Sequence, residues 1–193
     1  MKSLRVLAIV AGCLASATAF AAPVTYKVDG KHTFPSFEAD HFGGVSVWRG
    51  KFNQTSGTIT LDTAAKTGSI DITIDTASVD TGQEDLNKHL KGEDFFDVAK
   101  FPTATYKGKL TKFVDGKPTE ATGDLTLHGV TKPVTLTIRT AKCMPHPMKK
   151  KEFCGADVTT TINREDFGIG WGKNFGFKMD VKLDIQVETE VIG

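Results

Sequence analysis

The chain has 193 residues and a formal net charge of +1 at pH 7. A near-neutral balance of 24 basic and 23 acidic residues does not favour nucleic acid as a partner. The length fits one domain with a sizeable hydrophobic core, and no linker-like segment divides the sequence.

The first 21 residues have the anatomy of a secretory signal peptide. Lys2 and Arg5 precede an apolar run over residues 6–20, and Ala19-Phe20-Ala21 offers the small-x-small cleavage pattern. The run is about 15 residues long, whereas a membrane-spanning helix needs about 20. We therefore predict cleavage after residue 21 and export to the periplasm.

A lipoprotein cleavage box is the alternative interpretation of this leader. Val10-Ala11-Gly12-Cys13 resembles such a box, and cleavage there would leave a lipid-modified Cys13 at the new N terminus. With the signal peptide removed, the predicted mature domain is residues 22–193. It carries 22 basic and 23 acidic residues, because Lys2 and Arg5 are lost with the leader.

Strict alternation of apolar and polar residues dominates the chain after the leader. The clearest run, residues 179–188, has an apolar residue at every second position. Period two is typical of strands with one dry and one wet face, and the short connections require antiparallel neighbours. We predict eight or nine strands, some formed by merging of the segments near residues 25–33, 36–43, 46–53, 56–62, 69–75, 103–114, 120–128, 133–141, 155–162 and 177–190.

One helix, near residues 83–91, interrupts the predicted strands. Leu86 and Leu90 share an apolar side with the phenylalanines at 95 and 96, so residues 89–106 are interpreted as a lid and a corner. A long antiparallel sheet with a single dry face must fold over on itself or close. Alternation alone does not distinguish a barrel from a sandwich.

Pro35 lies where the alternation predicts a continuous first strand. A proline supplies no N–H to a strand ladder, so we expect the strand to break or bend at this residue.

Two cysteines, Cys143 and Cys154, remain in the predicted mature chain and are expected to form a disulfide in an oxidising compartment. The loop between them holds three soft or borderline metal ligands, namely Met144, His146 and Met148. Such ligands suit Cu(I), so a periplasmic metal- or stress-related binding protein is an alternative function. A disulfide would remove the thiolates as ligands. Residues 149–151, three lysines, are either a solvated loop or a transient contact with a membrane surface.

The sequence gives little support to catalysis. No serine lies in a GxSxG elbow, and no HExxH, CxxC or glycine-rich phosphate loop is present. Acidic pairs such as Glu84-Asp85 and Glu93-Asp94 are adjacent in sequence, and adjacent helical residues do not face each other. We predict a protein that is not an enzyme, with no cofactor and no metal. A cryptic secreted enzyme is kept as the rival.

Three segments resemble a known family. They are residues 89–106 (HLKGEDFFDVAKFPTATY), residues 126–134 (TLHGVTKPV) and residues 161–171 (TINREDFGIGW). In this order they are similar to the YceI-like proteins, secreted bacterial proteins of lipocalin-like fold that bind polyisoprenoids. The resemblance implies an all-β, antiparallel lipocalin-like barrel of about eight strands with one short helix. It also implies a long-chain lipid as partner: a polyisoprenoid, an isoprenoid quinone or a fatty-acid derivative.

The resemblance further implies an apolar tunnel, and the inward aromatic positions are its candidate lining. For any one of them, ordinary core packing is the alternative. His41 is a candidate contact for a polar head group. Arg164 either contacts a charged head or ties a corner together with a carboxylate such as Asp166. The predicted ligand-binding residues are Phe37, Ala39, His41, Phe52, Leu90, Phe95, Phe96, Phe101, Arg164, Phe167 and Trp171. Barrel ends or strand edges are candidate contacts for a homodimer.

Overall fold

The computed structural model describes residues 22–192. The predicted signal peptide, and with it Cys13 of the alternative cleavage box, lies outside the described residues. Among the helices of residues 22–192, none has both the length and the apolar character needed to cross a membrane.

Strands make up most of the described chain. They are β1 (Val24–Val28), β2 (Phe34–His41), β3 (Ser46–Phe52), β4 (Thr55–Asp62), β5 (Thr67–Asp75), β6 (Val79–Asp80), β7 (Thr103–Val114), β8 (Lys117–Leu127), β9 (Val130–Pro145), β10 (Glu152–Asn163) and β11 (Asp180–Val191). The described residues contain one α-helix, α1 (Glu84–Lys91), which lies between β6 and β7. The predicted helix near 83–91 is therefore confirmed.

The sheet closes into a barrel of eight strands. Its order is β1-β4-β5-β7-β8-β9-β10-β11, and β11 returns to pair with β1 through Tyr26 opposite Val191 and Val28 opposite Thr189. Every pairing in this ring is antiparallel. Closure leaves no unpaired edge around the ring, which is the solution expected for a long sheet with one dry face. The predicted lipocalin-like barrel is confirmed.

The strands β2 and β3 are not part of the eight-strand ring and extend the sheet at one end. β1 pairs with the C-terminal half of β11, and β2 pairs with its N-terminal half, where Val181 lies opposite Ala39. β1 and β2 therefore follow the same edge of β11, one after the other. β3 pairs with β2 and with the short β6.

The predicted first strand breaks before Pro35 and not at it, so the predicted position of the break was wrong. The chain leaves the ladder at residues 29–33, where an Asp29 carboxylate oxygen accepts the Lys31 N–H at 2.9 Å. Pro35 itself lies in β2, opposite Ile185. The pairing of β2 with β3 begins only at Ser36, so Pro35 has a partner strand on one side and its missing N–H is tolerated.

Inward side chains form two packed clusters along the barrel. The first includes Phe37, Tyr106 and Ile162, and it lies at the end where α1 and the β2–β3 hairpin are found; we call this the upper end. The second includes Leu110 and Val158 and lies toward the β7–β8 and β9–β10 hairpins, at the lower end. Alternation along each strand sends these residues inward and the charged residues outward.

The helix α1 packs its apolar side on the upper cluster. Leu90 is buried there, and Leu86 is half-buried against the same residues. The Gln83 side chain accepts the Leu86 N–H and caps the helix, and Glu84 and Asp85 in the first turn complement the helix dipole.

The predicted disulfide joins Cys143 and Cys154, which lie opposite each other on β9 and β10. The cysteine-bracketed segment is mostly strand rather than loop, because β9 continues to Pro145 and β10 begins at Glu152. The covalent link therefore ties two strands that are already paired at the lower end of the barrel.

Candidate ligand-binding cavity

A cavity of about 780 Å³ runs through the barrel. Its wall is made by the inward positions of the strands, such as Ile70 and Ile72 on β5 and Leu183 and Ile185 on β11. It reaches from Trp48 and Trp171 at the upper end to Lys117 and the disulfide at the lower end. A volume of this size falls within the range of small-molecule sites, and a mostly apolar wall favours an apolar occupant.

Nine of the eleven predicted ligand-binding residues lie on the cavity wall. They are Phe37, Ala39, His41, Phe52, Leu90, Phe95, Phe96, Arg164 and Trp171. Alternation on β2 brings the first three to one face, and residues 95 and 96 follow α1 over the upper end. Their contact with a ligand stays a prediction, but their place on one wall agrees with it.

Phe101 and Phe167 are not among the residues that line the cavity, and both contact His128. Phe167 is only 2% exposed, and its carbonyl oxygen accepts a hydrogen bond from His128 Nδ1 at 3.1 Å. The Phe101 ring meets the His128 ring edge to face, with 4.5 Å between the ring centres. Neither residue lies in a strand, so the period-two pattern that identifies inward positions does not place these two side chains.

Aromatic rings meet at the upper end of the cavity. The Trp171 ring lies 4.9 Å from His89, 5.4 Å from Phe95 and 5.8 Å from Phe177. Trp48, His89 and Phe177 line the cavity but were absent from the predicted set. Trp48 could have been found, because it pairs with Ala39 across β2 and β3 and residues opposite each other share a face.

Both tyrosines of the chain reach the wall, and each hydroxyl is hydrogen-bonded. Tyr26 donates to a Glu152 carboxylate oxygen at 2.5 Å, and Tyr106 donates to the Val134 carbonyl at 3.0 Å. Burial, together with the neighbouring Glu152 carboxylate, raises the pKa of Tyr26 to about 12. Burial and the charge of Asp124 raise the pKa of Tyr106 to about 12.

We expect the folded protein to show no tyrosine ionisation step near pH 10. A folded-state pKa above the unfolded value means that the neutral tyrosines stabilise the fold below pH 10, and that this contribution is lost as the pH rises toward about 12. An ultraviolet alkaline titration measures this directly, and the same titration in urea should restore both steps to about pH 10. A native step near pH 10 that Tyr26→Phe removes would contradict the burial of Tyr26.

Arg164 is a buried cation on this apolar wall. Its residue is 8% exposed, and its two terminal nitrogens donate to the carbonyl oxygens of Ile169 and Trp171, each at 2.8 Å. Burial lowers the pKa of the guanidinium, and the nearby Glu165 carboxylate opposes that shift. The expected tie between Arg164 and a carboxylate such as Asp166 was wrong, because the corner is held by backbone carbonyls instead.

The soft ligands of the cysteine segment lie at the outer surface of the lower end. The sulfurs of Cys143 and Cys154 are bonded to each other in the disulfide. The Met148 side chain is exposed. His146 Nδ1 accepts the backbone N–H groups of Met148 and Lys149 at 3.1 and 3.2 Å. The ring of His146 lies 5.1 Å from Phe153. The donors left for a soft metal are the methionine sulfurs and His146 Nε2.

A YceI-like domain matches residues 26–190, which include nearly the whole ring of strands. The chain belongs to the YceI-like family. A UPF0312 protein of Pseudomonas savastanoi pv. phaseolicola is 37% identical over 171 residues, which cover 87% of each chain.

Two solved structures extend the comparison to the fold. The YceI protein of Campylobacter jejuni has a TM-score of 0.66 at 29% identity, over 77% of this chain and 88% of that one. A polyisoprenoid binding domain from Saccharophagus degradans has a TM-score of 0.63 at 19% identity, over 88% of this chain and 99% of that one. At that low identity the second comparison shows a shared YceI-like fold.

Proposed function

We propose that this YceI-like barrel binds a long apolar molecule and carries or sequesters it in the periplasm. The ligand class is a polyisoprenoid, an isoprenoid quinone or a fatty-acid derivative. The observation that carries the proposal is the apolar cavity of about 780 Å³ along the barrel. The polyisoprenoid binding of the Saccharophagus degradans domain supports the same ligand class.

Burial of the ligand tail supplies most of the binding free energy in this proposal. Burying on the order of 600 Å² of hydrocarbon at about 25 cal/mol/Å² gives about 15 kcal/mol before ordering costs. One head-group hydrogen bond contributes about 1 kcal/mol net. Tail selectivity should therefore be loose among molecules that fit the cavity.

Organic extraction followed by mass spectrometry tests this proposal. We expect protein purified from its native host to release a long-chain lipid, and refolded, delipidated protein to bind an added prenol or quinone. Repeated extraction without a lipid, together with no binding of added ligand, would exclude the proposal.

Ala156→Phe should shorten the ligand tail that the barrel accepts. Ala156 lies on the cavity wall toward the lower end, between Val187 on β11 and Ala141 on β9. A phenyl ring there fills the lower part of the cavity, so the affinity for a long prenol should fall about tenfold or more while that for a short one changes little. The matched control is Asp157→Phe, whose side chain is exposed on the outer face. An equal loss for both tail lengths would contradict a tail that extends to the lower end.

The enzyme rival rests on one weak contact. Ser46 Oγ lies 3.4 Å from His41 Nδ1, which is long for a hydrogen bond that activates a nucleophile. Within residues 22–192 no carboxylate is hydrogen-bonded to the His41 ring, so the third group that would orient a catalytic base is missing there. The family and its solved relatives point to a binding protein rather than to an enzyme.

A further inference from the structure

The cavity wall holds a buried positive charge, Arg164, that has no acidic partner among residues 22–192. Among the described residues, no carboxylate lies within ion-pair distance of Arg164. The nearest acid in sequence, Glu165, is bound to Lys173 Nζ by both carboxylate oxygens at 2.6 and 2.7 Å. A guanidinium stays charged in proteins, so the charge of Arg164 is not removed by loss of a proton.

A buried charge of this kind is unfavourable unless something compensates it. Transfer of an ion into a protein interior costs several kcal/mol, and buried cations are therefore normally paired. The carbonyls of Ile169 and Trp171 take two of the five N–H donors of Arg164. These two bonds hold the turn after β10, but they bring no negative charge to the guanidinium.

The surroundings of Arg164 suit the head of an amphiphile. Its guanidinium carbon lies 5.7 Å from the centre of the Phe95 ring, and Trp171 and Ile169 line the cavity beside it. Apolar walls exclude water and strengthen a charge–charge interaction. Arg164 directly follows β10, and on that strand Ile162, Val158 and Ala156 line the cavity toward the lower end and offer an apolar path for a tail.

We propose that Arg164 binds an anionic head group, a carboxylate or a phosphate monoester, of a ligand whose tail fills the cavity. This inference rests on the proposed function, since it names the head of the same apolar ligand. The planar guanidinium matches both anions through two parallel N–H···O bonds. Tail burial gives the affinity, and Arg164 selects an acidic lipid over a neutral lipid with the same tail.

Matched ligand pairs test the charge of the head directly. Hexadecanoate against hexadecanol tests the carboxylate, and geranylgeranyl phosphate against geranylgeraniol tests the phosphate. Each competes with retinol, a neutral fluorescent isoprenoid, on the delipidated full chain. We expect the acid of at least one pair to bind about tenfold or more tightly than its alcohol. The pair that shows the preference identifies the anion. Equal affinities in both pairs overturn the inference, whereas failure of all four ligands to bind overturns the proposed function.

Three variants separate selection of the head from support of the turn. Arg164→Gln removes the charge but keeps an amide donor for a carbonyl, and it should reduce the preference for the acid to about twofold or less while the alcohol binds as before. Arg164→Lys should retain most of the preference. Arg139→Gln, the control, removes a half-exposed arginine that pairs with Asp184 at 3.0 Å. It should change neither affinity.

A purely structural role of Arg164 predicts a different pattern. In that case Arg164→Gln weakens binding of the acid and of the alcohol by the same factor. The preference for the acid is then either the same in the variant as in the native protein or absent from both. Either result overturns the inference. If Arg164→Gln does not fold, as shown by circular dichroism, the preference in the native protein and its retention in Arg164→Lys still decide the question.

Discussion

Phe37→Asp is expected to reduce the affinity for a long-chain ligand by about a hundredfold or more. The Phe37 ring is buried on the cavity wall and lies 6.0 Å from the Phe52 ring. It also covers Gly50, since a Cβ at position 50 would lie only 2.5 Å from Phe37 Cζ. A carboxylate at this position removes apolar contact with the tail and must either lose its hydration or draw water into the cavity, both of which oppose binding of a hydrocarbon.

The control for this variant lies on the same strand. Phe34→Asp makes the same substitution on the outer face of β2, where the Phe34 ring faces Lys51 Nζ at 4.3 Å. It should leave ligand affinity close to that of the native protein. Ala39→Asp adds a carboxylate to the wall without deleting a ring, so it keeps the test open if Phe37→Asp fails to fold. Fluorescence titration with retinol measures all three. Normal binding by folded Phe37→Asp would contradict the assignment of this wall.

Alternation predicted the interior of this barrel well because the sheet is antiparallel and has one dry face. The segment 103–114 agrees with β7 (Thr103–Val114), where every second residue from Ala104 to Leu110 faces the inside. Turn chemistry limited the prediction elsewhere. Asp29-Gly30 ends β1 at Val28, although the predicted strand extended to residue 33. The cysteine hairpin was predicted as a loop because its sequence lacks an apolar alternation, but β9 and β10 pair with each other there and β10 also pairs with β11.

The position of a side chain relative to the cavity needed the structure. Phe95 and Phe167 look alike in sequence, but the first lines the cavity and the second is buried without lining it. Arg164 was recognised as either a head-group contact or a corner residue, and the structure places it on the cavity wall while it holds the corner. The missing information was the path of the turn: it sets the carbonyl acceptors at 169 and 171 and, within the described residues, leaves no carboxylate within ion-pair distance of Arg164.

Gly57→Ala is expected to lower the free energy of unfolding by about 3 kcal/mol or more. Gly57 lies on β4 opposite Ile72 of β5, with a φ of +140°, which L side chains rarely adopt. A Cβ there would lie 2.1 Å from the Asp71 carbonyl oxygen and 2.9 Å from the Ile72 Cα. Both contacts are with backbone, so relief requires β4 to move away from β5 rather than a side chain to rotate.

The control for the backbone conformation is Gly116→Ala at the β7–β8 hairpin. Gly116 also has a positive φ, +76°, but an added Cβ would meet nothing within 4 Å. It should cost only about 1 kcal/mol, the penalty of the left-handed conformation itself. Urea unfolding measures the two losses. Because β4 also pairs with β1, which closes the ring on β11, loosening β4 should weaken ligand binding along with stability. Equal losses of unfolding free energy for the two variants would contradict the claim that close packing of β4 on β5 stabilises the closed barrel.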